Sequence, residues 1–132
     1  MGMRRILIDT NIYVAFKRND STVIKAFQSC DLIGIDVSVL AELYSGFQLG
    51  KRTRQNCTEL ETFLNHIRVQ IFNHNIETSE FFSQIYKKLR IKGKPIPTND
   101  IWIASVAMQH GLALYSKDRH FMYVDGLILY EI

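Results

Sequence analysis

Residues 5–16 read RILIDTNIYVAF, and the fold is decided here. Arg5–Ile8 is a short apolar run of the kind that fills a strand buried on both faces. It enters Asp9 directly, and a second apolar stretch follows at once through Ile12, Tyr13 and Phe16, with Thr10 or Asn11 placed to cap it as a helix. A carboxylate between two apolar runs is expensive to bury without a partner, so Asp9 is the first residue to suspect of chemistry.

The same rhythm continues outward. A second helix begins near Asp20 or Ser21, with Val23, Ile24 and Phe27 on its apolar side. Ile33–Val37 reads as a strand, and Ser38 as the cap of the helix VLAELYSGF. Residues 51–67 form an amphipathic helix with Leu60, Phe63, Leu64 and Ile67 on one face. Val69–Phe72 is the third strand. Thr78 caps a helix that turns Phe81, Phe82, Ile85, Tyr86 and Leu89 inward. Thr98 caps another, which Gly111 closes. Leu112–Tyr115 is the fourth strand, and Leu127–Tyr130 is a candidate fifth. Strands alternating with helices predict an α/β fold, a three-layer α/β/α domain around a central, mostly parallel sheet of four to five strands.

The chain has 132 residues, which fits one domain over residues 1–132. Hydrophobic residues are 47% and charged residues 22%, an ordinary globular balance that excludes a disordered or low-complexity chain. No apolar stretch approaches the ~20 residues of a membrane span, and Ile6–Ile8 is too short for the core of a signal peptide. The two cysteines, Cys30 and Cys57, form neither a disulfide framework nor a zinc site by themselves. The expectation is a cytoplasmic protein without a membrane partner. Its net charge of +3 permits nucleic acid without proving it.

Four acids fall at one end of such a sheet: Asp9 after strand one, Glu42 in the helix after strand two, Asp100 in the first turn of its helix, and Asp118 after strand four. Ligands collect at the carboxyl ends of parallel strands. Taken singly, Asp100 suits a helix N-terminus, Asp118 a turn and Glu42 a solvated face. Together, four carboxylates repel one another and remain ionised only around a cation; an all-oxygen set selects Mg2+ or Mn2+ over zinc. Phosphodiester hydrolysis is the leading chemistry. Asn11 stands where a haloacid-dehalogenase-type phosphatase needs a second Asp, and the acidic pair and lysine of receiver domains are missing. So are the P-loop, G-x-G-x-x-G and G-x-S-x-G motifs.

Four segments, ILIDTNIYVAF (6–16), SVLAELYSGF (38–47), TNDIWIASVAMQHGLALYSKDRHF (98–121) and VDGLILYEI (124–132), together resemble the PIN domain, and more narrowly the VapC-type ribonuclease toxins of type II toxin–antitoxin systems. The combination of D-T-N, A-E-L-x-x-G, N-D-x-x-I-A and K-D-x-x-F spans nearly the whole chain. The resemblance implies that Asp9, Glu42, Asp100 and Asp118 hold Mg2+ or Mn2+ for hydrolytic cleavage of RNA, with Thr10, Asn11 and Ser116 in support. Ser116 replaces the more usual Thr. His120 stands where Asp is common, so a fifth acid of some relatives is absent here.

Basic residues cluster at KRTR (51–54) and KKLRIKGK (87–94). Lys92, Lys94, Lys117 and Arg119 are the candidate RNA phosphate contacts. Tyr13, Tyr44 and Trp102 sit at core spacing rather than as bases' stacking partners. The apolar helices after strands one and two leave a face for an antitoxin helix or a homodimer. The alternatives are a PIN nuclease of RNA processing that has no antitoxin, and a non-catalytic PIN-like binding module; the intact quartet speaks against the second.

Overall fold

The computed structural model describes residues 4–131. Four strands, β1 (Arg5–Ile8), β2 (Leu32–Asp36), β3 (Val69–Phe72) and β4 (Ala113–Tyr115), form one sheet in the order β3-β2-β1-β4, with every pair parallel. Helices flank it: α1 (Thr10–Lys17), α2 (Ser21–Ser29), α3 (Val37–Leu49), α4 (Thr53–Leu64), α5 (Ile76–Lys92) and α6 (Thr98–His110). A 3₁₀ turn, Arg119–Tyr123, follows β4. Among the described residues, no helix is long and apolar enough to cross a membrane.

The two central strands, β1 and β2, are the most buried. Ile6, Leu7 and Ile8 are buried, and so are Ile33 and Ile35 beside them. Gly34 is required by its neighbours: a Cβ there would lie 2.7 Å from the Phe72 ring and 3.2 Å from Leu7, so the missing side chain lets Phe72 lie across β2. Helix α6 is buried nearly all round, through Ile101, Ile103, Ala104, Ser105, Val106 and Ala107. An apolar helix of this kind belongs inside a domain. It ends at Gly111, whose φ of 65° is left-handed backbone that glycine adopts without strain.

The expected strands and helices are all present, except that the fifth strand reduces to one bridge. Main chain beyond Gly126 pairs with β4 only at Leu114, which donates to Ile128 and accepts from Tyr130, both at 2.8 Å. The caps shift toward the strands. Asp9, not Thr10 or Asn11, caps α1, its extended backbone letting the carboxylate accept from the Ile12 amide at 3.0 Å. Asp36 precedes α3, leaving Ser38 inside the helix. Asn75 caps α5, and Thr78 answers it three residues on in a reciprocal box. Pro97 precedes α6 in place of a Thr98 cap. Helix α4 stops at Leu64, so Ile67 lies beyond it at 96% exposure and is not part of its buried face. Tyr86 also turns outward, where Arg90 donates to its hydroxyl at 3.2 Å.

Candidate metal centre

The strand order creates the site. From β1 the chain steps to β2 and β3 on one side, and β4 returns to the other side of β1. A crevice opens where such a sheet reverses, at the carboxyl ends of the two strands. Asp9 follows β1 and Ser116 follows β4, and the Ser116 hydroxyl donates to Asp9 Oδ2 across 107 positions of sequence. The same Ser116 Oγ accepts from the Asp118 amide at 2.9 Å. One hydroxyl thus ties two of the acids to adjacent strand ends.

Asp9 is 6% exposed. Burial pushes its carboxyl above the usual range; the bonds from Ser116 and the Ile12 amide pull it down, while the charges of Asp118 and Glu42 add to the rise. Asp100, in the first turn of α6, is raised in the same way, first by burial and then by Asp118 and Asp9, against a lowering bond from His120. Asp9 and Asp100 thus each feel the charge of Asp118, and Asp9 that of Glu42 as well. Glu42, on α3, lines a shallow depression with Ser38, Ala41, Ser45 and Asn99, the last adjoining Asp100. Asp118 caps the 3₁₀ turn, accepting from the His120 amide at 2.9 Å. His120 Nδ1 lies 3.1 Å from Asp118 Oδ1 and 3.4 Å from Asp100 Oδ2.

Among the described residues, no lysine or arginine forms an ion pair with Asp9, Glu42, Asp100 or Asp118. Thr10 Oγ1, next to Asp9, is buried without a hydrogen-bond partner. Asn11 is exposed. A hard-oxygen donor set, mutual repulsion and an orphaned hydroxyl beside the most buried of these four acids all fit a divalent cation.

The basic residues are less concentrated on the site. Lys92 donates to the Tyr123 carbonyl at 3.0 Å and pairs with Asp125. Lys94 lies over the Tyr123 ring at 5.2 Å. Lys117 pairs with Asp20 at 3.0 Å. Arg119 is exposed and, among the described residues, in no ion pair. Tyr13 is buried, as its spacing implies, and Trp102 is half-buried between His74 and Phe82.

One acid is not singled out by its sequence surroundings. Asp36, at the end of β2, is wholly buried, and His74 Nε2 donates to it at 2.7 Å while Ser38 donates to its other oxygen. His74 in turn stacks on Trp102, with ring centroids 4.4 Å apart. The position of Asp36 mirrors that of Asp9 one strand over, and that is the signal the sequence offers. Nothing local shows that a histidine 38 residues away would meet it.

A four-stranded parallel sheet in this order, flanked by helices and with Asp100, Asp118 and His120 close together, has the architecture of a PIN domain. The PIN domain family model matches residues 6–127, and the chain belongs to that family. The chain is 31% identical over 128 residues to Ribonuclease VapC2 of Haemophilus influenzae, covering 95% of this chain and 96% of the relative. It is 27% identical over 123 residues to Ribonuclease VapC4 of Mycobacterium tuberculosis, with 92% of each covered. The crystal structure of VapBC2 from Rickettsia felis, bound to a DNA fragment from its promoter, contains a chain that superposes with a TM-score of 0.87 at 28% identity, covering 96% of this chain and 97% of that one.

Proposed function

We propose that this protein is a Mg2+- or Mn2+-dependent endoribonuclease, the toxin of a type II toxin–antitoxin pair, with Asp9, Glu42, Asp100 and Asp118 as the metal-binding acids. The observation that carries this reading is the buried Asp9, joined through Ser116 to Asp118, raised further by the charges of Asp118 and Glu42, and, among the described residues, in no ion pair. When bound there, the cation supplies charge neutralisation of the acids and polarisation of a scissile phosphate. Ser116 and the Ile12 amide orient Asp9, leaving its carboxylate turned by two fixed donors. The first turn of α6 carries Asp100, whose carboxyl feels the charge of Asp9.

Substrate phosphates are drawn by Arg119, Lys94, Lys92 and Lys117. The Lys92–Asp125 and Lys117–Asp20 pairs are largely exposed, and exposed pairs are weak, so phosphate competes for both lysines. An antitoxin partner is supported by the VapBC assemblies among the similar structures. The location that follows is the cytoplasm, where RNA and antitoxin are made.

The deciding experiment combines binding and phenotype. Added Mn2+ or Mg2+ raises the melting temperature of the wild type by mass action, about 2.7 kcal/mol at a hundredfold excess over Kd. Cleavage of RNA stops with chelator, and expression without antitoxin arrests growth. Asp100→Asn removes the cation-induced shift, the cleavage and the arrest together. Arrest by a folded Asp100→Asn protein would mean sequestration of a partner in place of cleavage.

A further inference from the structure

We infer that His120 is a ligand of this centre, making its outer position, with Asp100 and Asp118, a mixed nitrogen–oxygen site that prefers Mn2+ and later first-row ions over Mg2+. This rests on the reading of the acids as a metal centre. By sequence, His120 counts as the loss of an acid; in the fold it is a donor aimed at the two acids that flank it.

The geometry carries the inference. One ligand atom from each of Asp100, Asp118 and His120 lies within 4.8 Å of the others. An octahedral ion with bonds of about 2.1 Å sets adjacent ligand atoms about 3.0 Å apart. The His120 nitrogen meets its two carboxylate oxygens at 3.1 and 3.4 Å, close to that spacing before any ion draws them in. Nδ1 hydrogen-bonds Asp100 Oδ2 at 3.4 Å when no ion is bound; it carries one proton at most and faces two carboxylates, so an ion in place of that proton would be met by all three groups at once. The backbone that carries the exposed ring is anchored on both sides: Asp118 caps the turn, and Phe121, the next residue, is 1% exposed.

The chemistry follows from the donor. Mg2+ favours oxygen ligands and holds its waters, whereas imidazole suits Mn2+ and more strongly the ions after it in the first-row series. The acids alone give all-oxygen ligation; His120 tilts the site away from Mg2+.

The test uses the full-length, metal-free protein loaded with Mn2+ alone. Pulsed EPR of bound Mn2+ should show a 14N modulation from imidazole. The signal is lost in His120→Asp and His120→Ala but kept in His74→Gln. Calorimetric titration should give a Mg2+-to-Mn2+ Kd ratio about tenfold larger in wild type than in His120→Asp. Thermal melts of each variant establish that it folds. Bound Mn2+ without 14N modulation, with binding abolished in Asp9→Asn, overturns the inference and leaves the metal centre standing. Wild type that binds no Mn2+ overturns both.

Discussion

Asp9 and Asp36 end adjacent parallel strands, one residue type in equivalent places, and the fold treats them oppositely. Both are buried, and burial raises both carboxyls. Asp36 is enclosed: His74 and Ser38 each take one of its oxygens, and the stack of His74 on Trp102 closes the group off. Asp9 also has a donor on each oxygen, the Ile12 amide and Ser116, but both are neutral, and the charges of Asp118 and Glu42 raise its carboxyl further. A buried acid paired with an imidazole, which can carry the opposite charge, holds elements together. A buried acid kept among like charges raises the free energy of the empty site, and that energy is returned when a cation binds.

The largest effect that would break this contrast is on Asp9. Asp9→Asn should lower metal-dependent RNA cleavage by about a thousandfold or more while leaving the fold intact. It should also stabilise the metal-free protein. A carboxyl raised in the folded state binds its proton more tightly than in the unfolded chain, so its share of stability is full below the unfolded value of about 3.9 and is lost as pH rises through the folded one. Chemical denaturation of the metal-free wild type from pH 4 to 7 should show that loss, and Asp9→Asn should show less of it. A variant less stable than wild type at pH 7 would place Asp9 with Asp36.

At Asp36 the sign reverses. His74→Ala leaves a buried carboxylate with Ser38 alone and should cost about 2–4 kcal/mol in denaturant unfolding. The emission of Trp102, the single tryptophan, should change as the stack disappears. An unchanged unfolding midpoint would show that Asp36 needs no partner.

Ser116→Ala sharpens the picture on the side of Asp9. It removes one donor to Asp9 and the acceptor of the Asp118 amide, but no charge, so cleavage should fall about tenfold with metal binding weakened in proportion. A fall as deep as that of Asp9→Asn would make the hydroxyl a participant in the chemistry.

The smallest effect concerns the lysines. Replacing Lys92 and Lys94 with Ala should flatten the salt dependence of binding to single-stranded RNA by roughly 0.7 in log–log slope for each phosphate left without its ammonium partner. A slope unchanged within error would leave both residues to Asp125 and Tyr123.

Much of this is legible in the sequence. RILI entering Asp9, the spacing A-E-L-x-x-G and the run N-D-x-x-I-A are local signals: a buried strand needs continuous apolar residues, and a helix start tolerates an acid. Cap positions are less so, because Asp9, Asp36 and Asn75 compete for them with the Thr and Ser residues one to three places on. Ile67 and Leu127–Tyr130 depart from expectation for a common reason: apolar character marks what can be buried, while helix length and edge pairing decide what is.

By itself, then, the sequence determined the order of strands and helices and the family, since each depends on residues close along the chain or on motif spacing. Only the tertiary structure decided which acid would meet an imidazole and which would keep neutral donors among like charges. The bonds that separate Asp9 from Asp36 join positions 107 and 38 residues apart, and the aim of His120 depends on how a short turn after β4 sits over the start of α6. Such pairings are set by close packing of the whole domain, where a side chain's partners are whatever the folded neighbours bring within reach.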